Sequence, residues 1–352
     1  MTQTNTDMTL QSAQTHMRRE IDETPEAVAR LLKNSGAQIT EAAKALREKS
    51  PLFAVTVARG SSDHAALFLK YAIELTLHIP VASLGPSLAS VYGAPLHVEN
   101  GGAFCISQSG KSPDIVAMAE TALAGGALSI ALCNTTPAPL ADACAHAINI
   151  QAGPEKSVAA TKTYICSIAA GLAILAEWTQ DTALKQAVAA LPDHLRRAGA
   201  LDWSPLSGPL SNAKSIYVLG RGPISAIAHE SALKFKETCG IHAEAYSTAE
   251  VLHGPVEIVG SDFPVLAFAA RDAAEDAIVG IADDLAKRGA DVFVTSDKAR
   301  HAHQLPFCAT GHPLTDALMP VMAFYGFVEA LSRARGRNPD EPQHLQKVTQ
   351  TL

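Results

Sequence analysis

Four short stretches of the sequence gather side chains able to hold an anion or move a proton. The first, Ser107-Gln108-Ser109-Gly110, follows an apolar run and precedes a helical pattern. Its hydroxyl and amide groups donate hydrogen bonds without carrying charge, and the glycine lets a ligand approach the backbone closely. At the carboxyl end of a parallel strand, such a loop and the helix after it aim backbone N–H groups at whatever sits in the crevice. Each oriented donor or helix terminus contributes about 0.3–1 kcal/mol toward an anion, and up to about 2 kcal/mol when partly buried. Several together suit a phosphate ester. Ser112 either caps the next helix or adds a hydroxyl, and the whole loop also has the composition of an ordinary strand-to-helix turn. Gly60-Ser61-Ser62 occupies the equivalent turn after an earlier strand, where the serines lend hydroxyls to the same pocket or cap a helix. Val158-Ala159-Ala160-Thr161-Lys162, just after Glu155, opens another long helix.

Proton transfer needs ionisable groups, and these cluster further along. Glu230, Lys234 and Glu237 are spaced to project from one helix face. That spacing fits a solvated Glu-to-Lys stripe as well as a reactive face. Ile241-His242-Ala243-Glu244-Ala245-Tyr246, Glu250 and His253-Gly254-Pro255 follow in a region that reads as turn-rich. A carboxylate and an imidazole beside one pocket suit general acid–base work, which accelerates reactions by about 10²–10⁴. His242, Glu244 and His253 match no recognised metal-ligand spacing, so no metal is expected.

The elements that must position these groups alternate between strand and helix. Residues 17–50 read as two helices. Strands are expected at Phe53–Ala58, Val81–Leu84, Ala103–Ile106, Leu128–Cys133 and Ala147–Ile150, with helical patterns between most of them. After a break at Pro205, Gly208 and Pro209, the pattern restarts. Ser215–Leu219 runs into Gly220-Arg221-Gly222-Pro223 and a helix over Ile224–Cys239, with later strands at Val265–Ala269, Asp291–Thr295 and Gln304–Cys308. Alternation of this kind predicts parallel sheets covered on both faces, here in two tandem units. The expected division is a poorly ordered tail over 1–16, a first unit with its leading helices over 17–200, a linker over 201–214, a second unit over 215–339 and a tail over 340–352.

Composition narrows the function classes. The chain has 352 residues, 47% of them hydrophobic, enough for a substantial core. A net charge of −7 argues against general affinity for nucleic acid or for an anionic membrane surface. The 6 cysteines, Cys105, Cys133, Cys144, Cys166, Cys239 and Cys308, include no Cys-x-x-Cys pair and read as reduced core thiols. The N-terminus lacks the pattern of a secretion signal, and no run reads as long enough to span a membrane, so the cytoplasm is the expected location.

Taken in order, these motifs resemble the sugar isomerase (SIS) domain family. The likeness is to its tandem form, as in the isomerase half of glutamine–fructose-6-phosphate aminotransferases. It covers nearly the whole chain, from Met17-Arg18-Arg19-Glu20-Ile21 through the serine loops and Ala232-Leu233-Lys234-Phe235-Lys236-Glu237 to His253-Gly254-Pro255 and the tail. The resemblance implies two flavodoxin-like three-layer α/β/α units. It implies that Ser107, Gln108, Ser109 and Ser112 bind a 6-phosphate, with Gly60, Ser61, Ser62, Val158 and Ala160 around the sugar. It assigns Glu237 as the base moving a proton between C1 and C2, Lys234 as its helper, and His253 as the ring-opening residue supplied by the neighbouring subunit of a homodimer. Lys347, near Asp340-Glu341-Pro342 and Leu345, falls on a tail lysine that can form a Schiff base with an open-chain ketose.

Departures from that pattern steer the expected reaction. No N-terminal cysteine nucleophile of a glutaminase domain precedes these motifs, since the chain opens Met1-Thr2-Gln3. Lys111-Ser112-Pro113-Asp114 resembles stand-alone SIS-type amino-sugar-phosphate deaminases rather than the aminotransferases. Ala160 stands where a serine hydroxyl is usual, and Gln343-His344 where an Arg-Asn pair is usual. The resemblance therefore implies a deaminating isomerase acting on a phosphorylated amino sugar, with glucosamine 6-phosphate foremost. No cofactor is expected, because the substrate's own carbonyl or imine serves as electron sink. A synthase-like isomerase using ammonia, a deaminase or deglycase for another amino-sugar phosphate, and a non-catalytic sugar-phosphate sensor remain the alternatives.

Overall fold

The computed structural model describes residues 14–347. The expected disorder of the first residues, and the end of the tail, lie outside that range except at their inner edges. There Thr15 caps the first helix by accepting from the Arg18 amide, so ordered structure begins before residue 17. The leading segment folds as three helices rather than two, His16–Asp22, Thr24–Asn34 and Gly36–Lys49.

The first sheet contains β1 (Phe53–Val57), β2 (Val81–Ser83), β3 (Gly101–Ser107), β4 (Leu128–Cys133) and β5 (His146–Asn149) in the order β2-β1-β3-β4-β5. All its pairings are parallel. β3 is buried along its whole length, as expected for a strand covered by helices on both faces. The second sheet contains β6 (Ser215–Gly220), β7 (His242–Ser247), β8 (Pro264–Ala267), β9 (Asp291–Val294) and β10 (His303–Gln304), again parallel, in the order β10-β9-β8-β6-β7. Counted within its own unit, each sheet has the flavodoxin-like order 2-1-3-4-5. The chain is thus two tandem α/β units.

β7 corrects the turn-rich reading of residues 241–246. It is an edge strand with only one strand beside it, and its alternating charged and small residues lack the apolar signature of the central strands. Alternation also splits the ionisable cluster, since successive side chains face opposite ways. The last strand is shorter than expected, ending at Gln304. The helix expected over Ile224–Cys239 is composite: a 3-10 turn at Gly222–Ile224, an α-helix at Ser225–Lys234 and a π-turn at Phe235–Cys239. Residues 201–214 form short helical turns in which Trp203, Leu206 and Leu210 are buried.

Two long helices occupy the centre. Lys162–Thr179 is buried along nearly its whole length against the helices Thr24–Asn34, Gly36–Lys49 and Ser61–Leu77. Pro313–Ala334 corrects the expectation that no segment is long enough to cross a bilayer: by length and composition this one is. Its apolar window is 89% buried inside the protein, which is the position of a core helix. Between the units, the helix Ser61–Leu77 packs directly on Ser225–Lys234, and this contact brings the serine turn of one unit against the Glu/Lys helix of the other.

Candidate active site

A pocket of ≈ 350 Å³ opens at the carboxyl ends of β1 and β3, where the strand order reverses. One wall is the Ser107-Gln108-Ser109-Gly110 loop. Ser107 Oγ accepts from the Gly110 amide at 3.2 Å, and Ser109 Oγ accepts from the Lys111 amide at 3.3 Å, so the loop sets its own shape. Gly110 has φ +63°, and a Cβ there would meet the Ala138 Cβ at 2.8 Å; both facts demand glycine. Ser112 is the N-cap of the helix Pro113–Ala124, yet its hydroxyl makes no capping bond and lines the pocket instead.

The second wall is the turn after β1. Gly60, at φ +55°, is the N-cap of the helix Ser61–Leu77, and neither serine caps it through a side chain. Ser61 Oγ accepts from Lys234 Nζ at 3.0 Å and donates to Glu230 Oε1 at 3.2 Å, while Ser62 faces the pocket. Val158 and Ala160 line the pocket from a third side.

Glu237 reaches the pocket from the π-turn, with its side chain 20% exposed. Such π-turns recur where a helix must re-aim one side chain. Lys234 Nζ donates to Glu237 Oε2 at 2.6 Å and lies 3.2 Å from Glu230 Oε1. Lys234 and Glu230 are both fully buried, so this stripe is not a solvated one. Burial alone would lower the Lys234 pKa, but the Glu230 and Glu237 carboxylates outweigh it and push it up. Burial alone would likewise raise Glu230; the Lys234 ammonium and the His64 and Tyr325 hydrogen bonds outweigh it and hold the carboxyl low. The two directions agree on a charged pair. The buried Lys234 ammonium touches Glu237 and fixes where its carboxylate points in the pocket.

The tail closes the fourth side, with Leu345, Gln346 and Lys347 on the lining. Lys347 Nζ donates to the Ser157 carbonyl at 2.6 Å and to Glu155 Oε2 at 3.3 Å. Glu155 in turn accepts from the amides of Thr161 and Thr163, both at 3.1 Å. The tail is anchored further back: the Asp340 carboxylate accepts from the His16 and Met17 amides at 2.7 Å each, and the Asp340 carbonyl accepts from the Val158 amide at 3.1 Å.

His253 stands apart. It is exposed after the turn Glu250–Leu252 and does not line this pocket. His242 is at the opposite end of β7 from the site, with Nδ1 3.3 Å from Ser215 Oγ. Several participating residues are ones that spacing did not single out. His64 Nδ1 lies 3.0 Å from Glu230 Oε2, Tyr325 donates to Glu230 Oε1 at 2.9 Å, and Arg59 lines the pocket while pairing with buried Asp114. Arg59 and His64 flank the Gly60-Ser61-Ser62 motif, which is the one local signal available.

Comparison with known proteins agrees with this architecture. A glutamine–fructose-6-phosphate aminotransferase of Halobacterium salinarum is 32% identical over 310 residues, covering 83% of this chain and 50% of the relative. Its counterpart in Sulfurisphaera tokodaii is 30% identical, covering 94% of this chain and 56% of the relative. The chain spans about half the length of the curated relatives it matches. Among solved structures, a protein provisionally named a phosphosugar isomerase, from Silicibacter pomeroyi, superposes with a TM-score of 0.90 at 52% identity, covering 93% of this chain and 100% of that one. The C-terminal domain of glucosamine-fructose-6-phosphate aminotransferase from Francisella tularensis gives a TM-score of 0.83 at 25% identity, with 94% and 99% coverage. Residues 53–176 and 209–303 match the sequence profile described as the SIS domain, one segment in each α/β unit, and the chain belongs to that family.

Proposed function

We propose that the pocket binds a phosphorylated amino sugar and that the protein converts glucosamine 6-phosphate to fructose 6-phosphate and ammonia. The observation that carries this reading is the meeting of an uncharged, donor-rich loop at a helix N-terminus with the Lys234-paired side chain of Glu237, in one pocket. The loop holds the phosphate and fixes the chain of the sugar. Once the ring has opened to the aldehyde, the Glu237 carboxylate takes the proton from C2. The electron pair moves into the C1 carbonyl, whose oxygen takes a proton from the substrate's ammonium group, and the resulting enaminol is reprotonated at C1 by Glu237. C2 is then an iminium carbon. Water adds there, and the carbinolamine expels ammonia to leave the ketose. Protons and electrons balance without an external redox partner.

Lys234 holds Glu237 in place during the first transfer. Lys347, at the rim of the same pocket, meets the open-chain carbonyl carbon once it exchanges its bonds to Glu155 and the Ser157 carbonyl for the substrate. His253 completes the set from a second copy of the chain: it is exposed, and the exposed apolar side chains of Leu252 and Ile258 flank it, as at a self-association surface. The likeness to aminotransferases at 30–32% identity favours a second reading, in which the same steps run in reverse with ammonia as the nitrogen donor.

Initial rates of ammonia and ketose-phosphate release from glucosamine 6-phosphate, beside the reverse reaction from fructose 6-phosphate and ammonium, separate the two readings. Faster forward turnover is expected. No turnover in either direction, with binding retained, identifies a sensor and rejects both readings.

A further inference from the structure

The loop residues proposed to hold the phosphate are all neutral. Lys111, next to them, is exposed and outside the lining, and Lys347 is committed to Glu155 and the Ser157 carbonyl. Arg59 is the other cation on the pocket lining among the described residues. It lies just beyond β1, which pairs with β3, so Arg59 and the loop after Ser107 leave neighbouring strand ends side by side.

Asp114 explains why the guanidinium stays there. This carboxylate, in the first turn of the helix Pro113–Ala124, is fully buried and has Arg59 Nη2 as its ion-pair partner. A buried carboxylate is costly unless it is paired. A helix needing only an acidic first turn would keep that charge in water. The pairing occupies one edge of a five-donor fork, leaving N–H groups free for a second oxyanion. It thereby tethers a positive charge between two helix N-termini, at the phosphate end of the pocket.

We propose that Arg59, positioned by Asp114, is the charged phosphate-recognition residue of this site and sets its preference for a phosphate ester over an uncharged sugar. The inference rests on the phosphosugar reading above.

Its test uses a ligand that cannot turn over, glucitol 6-phosphate, with inorganic phosphate as a second probe, by titration calorimetry. The wild type is compared with Ser109→Ala, Arg59→Lys and the double variant Arg59→Gln/Asp114→Asn. The double variant removes both charges and so leaves no orphaned buried carboxylate to unfold the protein. Loss of a charge-assisted contact is expected to weaken glucitol 6-phosphate binding by about 10–100-fold in the double variant, with Arg59→Lys between it and wild type. Its binding is also expected to become less salt-sensitive. If Ser109→Ala weakens binding while the double variant binds as wild type does, Arg59 is a structural partner of Asp114 and the inference is overturned, the phosphate reading standing. If neither probe binds the wild type, the phosphate reading falls and the inference with it.

Discussion

The two α/β units share a strand order but use the same topological crevice in opposite ways. After β3 the first unit presents Gln108 and Ser109 to an open pocket. At the equivalent point after β8, the second unit continues with Phe268, Ala269 and Ala270, all buried. Thr295 Oγ1 accepts from the Ala269 amide at 2.8 Å and donates to the Ala269 carbonyl at 3.0 Å. Arg271 lies 3.7 Å over the Phe307 ring and donates to the Ala269 carbonyl at 2.7 Å. One crevice holds solvent-accessible donors; the other is stitched shut. A fold therefore offers positions for a site, and side-chain chemistry decides whether the position is used. The second unit contributes to the first unit's pocket instead, through Lys234 and Glu237.

The largest effect that should sharpen this contrast is on chemistry: Glu237→Gln should reduce ketose-phosphate formation by about 10²–10⁴-fold with glucitol 6-phosphate still bound. Undiminished turnover would remove Glu237 as the base. Next, truncation in the sealed crevice should be felt as stability alone. Phe268→Ala should lower the unfolding free energy by about 3–5 kcal/mol in urea titrations while KM is unchanged. A large rise in KM there would break the comparison. Its mirror image, Ser109→Ala, should raise KM by roughly 3–10-fold and leave the urea midpoint in place, since a hydrogen bond contributes about 0.5–1.5 kcal/mol.

The smallest effect concerns pH. Glu230 has its folded pKa below the ordinary 4.5, so its stabilising contribution is complete above pH 4.5 and is lost as pH falls through the lower folded value. Unfolding free energies of wild type and Glu230→Gln measured across that acid range should converge as pH drops. Parallel curves would place the acid sensitivity elsewhere.

Much of the architecture is legible in the sequence because central parallel strands are apolar runs: β1, β3, β4 and β6 fall where such runs occur. β7 is not, because an edge strand carrying His242 and Glu244 has the polarity of a loop. At the site, serine-rich strand ends announce themselves, and Glu237 and Lys234 share a face by spacing alone. Spacing says nothing of burial, so it does not distinguish a solvated stripe from the fully buried Glu230–Lys234 pair. Nor does it find Arg59, His64 or Tyr325, whose partners are 55, 166 and 95 residues away in sequence. Arg59 and Tyr325 find their partners only when their own units fold, and His64 only when the first unit's helix packs on the second's. The position of His253 outside the pocket is likewise a matter of tertiary placement.

The clasp between Asp340 and the amides of His16 and Met17 makes the described chain nearly a closed ring. Joining its ends by a short linker and opening it at an exposed turn, such as the one at Gly93, should leave the order of contacts intact. In such a permutant the tail bearing Lys347 would become an internal loop, held at its root by the same two amides. The first helix lines no part of the pocket, yet it fixes where the pocket's fourth side begins; topology, rather than proximity along the chain, makes it part of the site.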